Sequence, residues 1–169
     1  NPFSISNSLK TLIDPENFDY NNVLFQWENK WYSWFHGNDF YNKNKNSLKK
    51  SIEADINEAG KFLKEADFLF LTFGTSWIYE EISKKMIVSN CHKVPQNYFT
   101  KRRMSVSDIV DLLSVTFNDL LKFNKNIKII ATVSPIRHWK DGAHGNQLSK
   151  SVLLLAIDEL LKTFDCLEY

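Results

Sequence analysis

Two nearly continuous apolar runs constrain the fold of this chain more than any other feature. Residues 67–73 (DFLFLTF) and 127–133 are almost entirely apolar, as expected of central strands in a parallel sheet that is covered on both faces. Each run follows a segment with apolar residues at helical spacing, and a third such segment comes after the second run. The sequence therefore predicts a parallel sheet flanked by helices near residues 48–65, 107–123 and 147–163.

The segments around these elements are less regular. Ser105 and Asp108 stand at capping-box spacing before the second helix. We expect a turn or short helix at residues 75–82, a small strand near 86–89 and a polar loop over 90–103. A group of aromatic residues is expected to be core rather than the lining of an apolar groove. Its members are Trp27, Trp31, Trp34 and Phe35.

Length and composition bound the class of protein. The 169 residues suffice for one domain with a core, and a formal net charge of +1 gives no argument for nucleic acid. No run is apolar enough to span a bilayer, and no signal peptide is present. Two cysteines make no disulfide framework, which favours a reducing compartment such as the cytoplasm. The chain starts without Met and stops straight after a helical pattern, so we expect a single domain truncated at both termini.

Polar side chains follow both apolar runs directly. Gly74 and Ser76 come after the first run, and a loop rich in ionisable groups comes after the second. The residues that we select from that loop are Arg137, His138, Asp141 and Asn146. Because open α/β sheets bind ligands at the carboxyl ends of their strands, we expect Ser76, His92, His138 and Asp141 to gather there.

Each of these features also has a structural explanation. Gly74 and Ser76 can present an amide and a hydroxyl to a ligand, or can form a capped turn. The glycines and the lysine of a phosphate loop are missing. His92 follows Cys91 in a polar loop beside a pocket or in a purely structural one, and no partner pair supplies a metal site. No cofactor is predicted.

The loop after the second run has similar alternatives. Ser134, His138 and Asp141 look like a local triad, but triads are usually assembled from distant segments. A bracing role is favoured, in which Arg137 pairs with Asp141 and His138 hydrogen-bonds a neighbour. Asn146 either belongs to the site or caps the last helix.

Several short motifs occur together in this chain. They are Asn1-Pro2-Phe3-Ser4-Ile5, Leu71-Thr72-Phe73-Gly74-Thr75-Ser76-Trp77-Ile78-Tyr79, Asn90-Cys91-His92-Lys93-Val94-Pro95, Thr132-Val133-Ser134-Pro135-Ile136-Arg137-His138-Trp139-Lys140-Asp141-Gly142 and Asn146-Gln147-Leu148-Ser149-Lys150. Because it contains these motifs together and in this order, the chain resembles the GSCFA family of bacterial proteins. That family is similar to the SGNH (GDSL-like) hydrolases. The resemblance covers nearly the whole chain.

The resemblance implies a flavodoxin-like, three-layer α/β/α fold and hydrolysis of a small-molecule or carbohydrate ester. Gly74-Thr75-Ser76 matches the hydrolases' Gly-x-Asn element, so Ser76 stands where an oxyanion-binding Asn is expected. The serine nucleophile would precede Asn1 and the Asp-x-x-His pair would follow Tyr169, so the chain alone would be inactive. Two alternatives stay open, a non-catalytic carbohydrate- or metabolite-binding module and a structural domain braced by His138 and Asp141.

Overall fold

The computed structural model describes residues 1–169 as a mixed α/β protein with three separate three-stranded sheets. The α-helices are α1 (Pro2–Ile13), α2 (Tyr20–Val23), α3 (Lys45–Glu65), α4 (Val106–Phe123) and α5 (Gly142–Leu161). The strands are β1 (Leu24–Trp27), β2 (Lys30–Ser33), β3 (Tyr41–Asn42), β4 (Phe68–Phe73), β5 (Trp77–Glu81), β6 (Met86–Val88), β7 (Phe99–Arg103), β8 (Lys128–Val133) and β9 (Leu167–Glu168). Short 3-10 helices span Pro15–Asn17, Gln96–Tyr98 and Trp139–Asp141.

Helices α3 and α4 begin where the sequence supplies a capping side chain. The Asn44 side chain accepts a hydrogen bond from the Ser47 backbone N–H at the start of α3. Ser105 and Asp108 form a reciprocal capping box at the start of α4, as their spacing predicts. Such caps satisfy backbone donors that have no partner within the helix.

The parallel sheet contains the two apolar runs and a third, short strand, in the order β4-β8-β9. Phe68 pairs with Lys128 at one end of the first pair of strands, and Phe73 pairs with Val133 at the other. The predicted parallel pairing is confirmed. The expectation that the chain stops straight after a helix is wrong, because Leu167 and Glu168 return to the sheet beside β8.

Helices cover only one face of this sheet. Leu71 and Phe73 of β4, together with Ile129 and Ala131 of β8, join the main core, which also takes in residues of α1, α4 and α5. On the other face of β4, Phe68 is 54% exposed and Phe70 is 70% exposed. The prediction of a sheet covered on both faces is therefore wrong for this chain.

The order of the strands explains the open face. The chain crosses from β4 to β8 and from β8 to β9 in the same direction across the sheet. Because parallel crossovers are almost always right-handed, two crossovers in one direction place their helices on the same face. Helices reach the other face only when the chain also crosses in the opposite direction.

Antiparallel pairing forms the other two sheets. Trp77–Glu81, expected as a turn or short helix, is strand β5 and pairs with β6 and β7. The small strand near residues 86–89 is confirmed as β6, whereas the predicted loop over 90–103 ends in β7. The third sheet, in the order β1-β2-β3, is rich in aromatic residues and is called the aromatic sheet below. Trp34, just after β2, is buried and stacks on Phe25 of β1 with ring centroids 3.5 Å apart. Trp27, Trp31 and Phe35, also predicted as core, are only half-buried.

Candidate functional site

The loops that follow β4 and β8 lie side by side at the carboxyl end of the parallel sheet. The Ser134 backbone N–H donates to the Phe73 carbonyl oxygen at 3.0 Å, which extends the pairing by one residue past β8. Gly74 and Ser134 therefore leave the sheet at the same end, as parallel pairing predicts. This shared end brings together most of the residues selected from the sequence.

Ser76 is held inside the protein by α5. It is completely buried, and its backbone N–H donates to the Ser149 side-chain oxygen at 2.8 Å. The Ser76 hydroxyl donates to the same oxygen at 3.1 Å, and Thr75 Oγ1 shares a hydrogen bond of 3.1 Å with it. A serine hydroxyl has one proton and two acceptor positions, so these three contacts use the full capacity of Ser149.

The backbone N–H groups of two consecutive residues, Gly74 and Thr75, are the free donors of this loop. The backbone N–H groups of Gly74 and Thr75 lie outside every strand and helix and have no acceptor in the protein. Both residues are partly exposed. Two consecutive amides without an acceptor, at the end of a strand, can bind an anion or the oxygen of a polarised carbonyl.

Lys150 contacts the same peptide from the side of α5. Its ammonium group donates a hydrogen bond to the Gly74 carbonyl oxygen. No carboxylate lies within 4.0 Å of that ammonium group. Burial lowers the pKa of Lys150 from its ordinary value. The charge of Lys150 in turn lowers the pKa of the Asn1 amino group, after a larger effect of burial.

His138 stands over Gly74 from the second loop. A Cβ atom built on Gly74 would lie 3.7 Å from His138 Nε2, which is ordinary contact distance. The His138 backbone N–H donates to the Asn146 side-chain oxygen at 3.0 Å. Asn146 is buried within α5, which begins at Gly142, so the predicted role of Asn146 as a helix cap is wrong.

Asp141 is paired across the molecule and not within its own loop. Its carboxylate accepts from the Lys101 ammonium group of β7, whereas Arg137 lies over the Trp139 ring at 5.8 Å. The predicted pair of Arg137 with Asp141 is therefore wrong. Burial alone would lower the pKa of Lys101, but the contacts with Asp141 and Tyr79 together outweigh burial and the pKa is raised. Asp141 thus braces the loop against the β5–β7 sheet.

His92 lies apart from this cluster, against the aromatic sheet. Its Nε2 contacts the Ser33 carbonyl oxygen at 2.8 Å, and its ring lies 4.9 Å from that of Tyr32. Burial lowers the pKa of His92, and burial raises the pKa of the neighbouring Cys91 thiol to about 11. A thiol with such a pKa is protonated at neutral pH and is a poor nucleophile. The expected gathering therefore holds for Ser76, His138 and Asp141 but not for His92.

Two residues that sequence reasoning missed hold the loops in place. Ser149 and Lys150 lie three and four positions after Asn146, so the three side chains share one face of α5. Asn146 contacts the loop after β8, and the other two contact the loop after β4. The helical spacing of three polar residues within an apolar pattern was the available signal.

The largest cavity lies away from these loops. It has a volume of about 860 Å³ and lies between residues 14–23 and the carboxyl ends of α1 and α4. Because α4 ends just before β8 begins, this cavity opens toward the amino ends of the parallel strands. Its lining is mixed, with Lys10, Asp19 and Phe18 among its members. Ligands of parallel sheets bind at the opposite end, so we assign the candidate site to the loops.

No three His, Cys, Asp or Glu side chains are grouped so that they could hold a metal ion. None of the helices combines the length and apolar composition needed to cross a membrane.

Comparison with known proteins gives one match. The model of the GSCFA family matches residues 1–169. No curated protein and no solved structure matches the chain. The family match covers the β4 and β8 loops as well as the aromatic sheet. The chain therefore belongs to the GSCFA family.

Proposed function

We propose that residues 1–169 form the oxyanion-binding and substrate-binding wall of an SGNH-like ester or acyl hydrolase. The single observation that carries this proposal is the pair of free amides of Gly74 and Thr75 at the carboxyl end of β4. Acyl transfer needs preorganised donors where negative charge develops on the carbonyl oxygen, and backbone amides are common donors of this kind. The substrate class is a small-molecule or carbohydrate ester.

The nucleophile and base of this hydrolase come from segments outside residues 1–169. A serine preceding Asn1 attacks the acyl carbon, and the histidine of an Asp-x-x-His pair following Tyr169 accepts its proton. The C–O bond to the alcohol then breaks and the histidine returns the proton to the leaving alcohol. Water hydrolyses the acyl-serine in the same way and releases the carboxylate.

The open side of the parallel sheet supports the three-layer architecture that the proposal requires. β4 has a neighbour on one side only, and its outward-facing Phe68 and Phe70 are exposed. A further parallel strand beside β4, with a helix on the uncovered face, would complete a flavodoxin-like α/β/α fold.

The role of Ser76 has a direct test. Its hydroxyl proton is committed to Ser149, so Ser76 joins the oxyanion donors only if that contact is exchanged for the substrate. The test uses a protein that contains residues 1–169, the preceding segment with the serine nucleophile and the following segment with the Asp-x-x-His pair. In that protein, Ser76→Ala lowers kcat by roughly ten- to a thousandfold if the Ser76 hydroxyl is an oxyanion donor. An unchanged kcat with p-nitrophenyl acetate assigns Ser76 to bracing the turn and leaves the amides as the donors.

A second candidate is a non-catalytic carbohydrate- or metabolite-binding module. The cavity of about 860 Å³ favours it, because its volume suits a small ligand and its lining includes Asn7, Asn17 and Asn22. Isothermal titration with glucose, galactose and N-acetylglucosamine tests this function. Saturable binding that is weakened by Asn7→Ala, but not by Asn57→Ala on the exposed face of α3, would favour the module.

A further inference from the structure

Lys150 differs from the other lysines whose pKa values are shifted. Lys101 and Lys162 contact carboxylates, and their pKa values are raised. Lys150 has a neutral carbonyl oxygen as its acceptor, and it is partly buried at the candidate site. Partial burial of a cation without a counterion costs free energy, so a structural lysine would normally be paired or fully solvated.

The contact of Lys150 acts on one peptide group. The Gly74 carbonyl and the Thr75 N–H belong to the same peptide, and no peptide bond in the chain is cis. In a trans peptide the N–H points away from the carbonyl oxygen. Lys150 therefore holds the carbonyl toward α5 and directs the Thr75 N–H to the opposite side, where it has no acceptor in the protein.

The positive charge of Lys150 beside the Gly74 carbonyl also strengthens the Thr75 N–H as a hydrogen-bond donor. A cation bound to the oxygen of an amide draws electron density from the nitrogen, and hydrogen bonds in such a chain reinforce one another. The partly buried surroundings of Lys150 screen this effect less than bulk water would. The Thr75 N–H is consequently a stronger donor than an ordinary exposed amide.

We propose that Lys150 is a positioning residue that orients and polarises the Gly74–Thr75 peptide, so that the Thr75 N–H binds a carboxylate or the oxyanion of an acyl substrate. Lys150 does not touch the anion, because the two lie on opposite sides of the peptide. This inference deepens the proposed function, since ester hydrolysis forms an oxyanion and then releases a carboxylate at this place.

Binding of acetate tests the inference without requiring hydrolysis. In two-dimensional ¹H–¹⁵N NMR spectra of the protein, the Thr75 amide resonance should shift saturably as acetate is added. Lys150→Met should weaken this binding by roughly tenfold to a hundredfold, as expected for loss of a charge-assisted contact. Lys150→Arg keeps the charge and the donor and should restore it. Lys162→Met, an exposed lysine at the far end of α5, should bind acetate as the unsubstituted protein does.

The outcomes separate this inference from the proposed function. Equal acetate affinity in Lys150→Met and the unsubstituted protein, or no saturable shift of Thr75, would overturn the role of Lys150. Tighter binding of inorganic phosphate than of acetate would overturn the assignment to a carboxylate. If acetate binding depends on Lys150 in a GSCFA protein that hydrolyses no ester, the inference stands and the hydrolase proposal fails. If a GSCFA protein hydrolyses esters and keeps the same kcat after Lys150→Met, the hydrolase proposal stands and the inference fails.

Discussion

The Ser149 side-chain oxygen accepts a hydrogen bond from the Ser76 backbone N–H at 2.8 Å, across 73 positions of the sequence. Both residues are almost completely buried. This contact ties α5 to the turn after β4. The position of the Gly74–Thr75 peptide therefore depends on a helix that follows β8 in the sequence.

Ser149→Ala should destabilise the protein by about 1–3 kcal/mol. The substitution leaves the buried N–H and hydroxyl of Ser76 without an acceptor, and an unsatisfied buried polar group costs this much free energy. Urea-induced unfolding gives the change in the free energy of unfolding. Ser151→Ala, two positions later on the exposed side of α5, should change it by less than about 0.5 kcal/mol. Equal values for the two variants would show that the Ser149 contact does not hold the turn.

Gly60→Ala should destabilise the protein although Gly60 lies inside α3. A Cβ atom there would lie 2.8 Å from the Leu12 carbonyl oxygen, so α1 and α3 would have to move apart. Such overpacking costs about 1–3 kcal/mol, against a gain of about 1 kcal/mol in helix propensity. Gly145→Ala in α5 is the matched control, because its Cβ atom would meet ordinary contact at 3.5 Å. Thermal unfolding should show a lower Tm for the first variant and a higher Tm for the second. A higher Tm for Gly60→Ala would refute the close approach of the helices.

The open face of the parallel sheet predicts unequal costs for two phenylalanines of β4. Phe70 is 70% exposed and Phe73 is 1% exposed. Phe73→Ala should cost about 3–5 kcal/mol, as is typical of a buried aromatic residue. Phe70→Thr keeps a good strand former on the exposed face and should cost less than about 1 kcal/mol. Urea-induced unfolding of the 169-residue chain gives the free energy of unfolding of both variants. A large loss of stability in Phe70→Thr would mean that this face of the sheet is covered in solution.

The lowered pKa values of two histidines, His36 and His92, predict that the protein loses stability in mild acid. Burial lowers the pKa of His36 and of His92, and their mutual charge effect lowers that of His36 further against the opposing effect of Asp55. The unfolded chain therefore takes up protons below about pH 6.5 before the folded chain does. The stabilisation is fully present above that pH and is lost as the pH falls toward the lowered folded pKa values.

Chemical unfolding at about pH 7.5 and about pH 5.5 measures this loss. The double variant His36→Asn and His92→Gln retains one hydrogen-bonding nitrogen at each site but cannot titrate. Asn replaces the Nδ1 contact of His36 with Ser33, and Gln replaces the Nε2 contact of His92. The free energy of unfolding should depend less on pH in this variant. The same pH dependence in both proteins would place the titrating groups elsewhere.

The features that were predictable from the sequence are those set by local pattern. The helices over Lys45–Glu65 and Val106–Phe123 have regular apolar spacing and caps, and β4 and β8 are continuous apolar runs. β5 and β7 were missed because neither shows simple alternation. Lys101–Arg103 is a polar stretch that becomes a strand only by pairing with Trp77–Tyr79.

The candidate site was predictable in position but not in its contacts. Gly74 and Ser134 follow apolar runs, which is enough to place them at one end of the sheet. The partner of Asp141 was not predictable, because Lys101 lies 40 positions away on a strand that the sequence does not reveal. The open face of the sheet depends on the direction of the crossovers, which residue pattern does not encode.

Hydrolysis of p-nitrophenyl acetate tests the central proposal most directly. The comparison is between the 169-residue chain and a GSCFA protein in which the same residues are joined to a preceding segment with the serine nucleophile and a following segment with the Asp-x-x-His pair. The longer protein should turn over the ester. The chain alone should not exceed the uncatalysed rate, because loss of triad residues costs several orders of magnitude. Turnover by the chain equal to that of the longer protein, or no turnover by either, would contradict the proposed division of the active site.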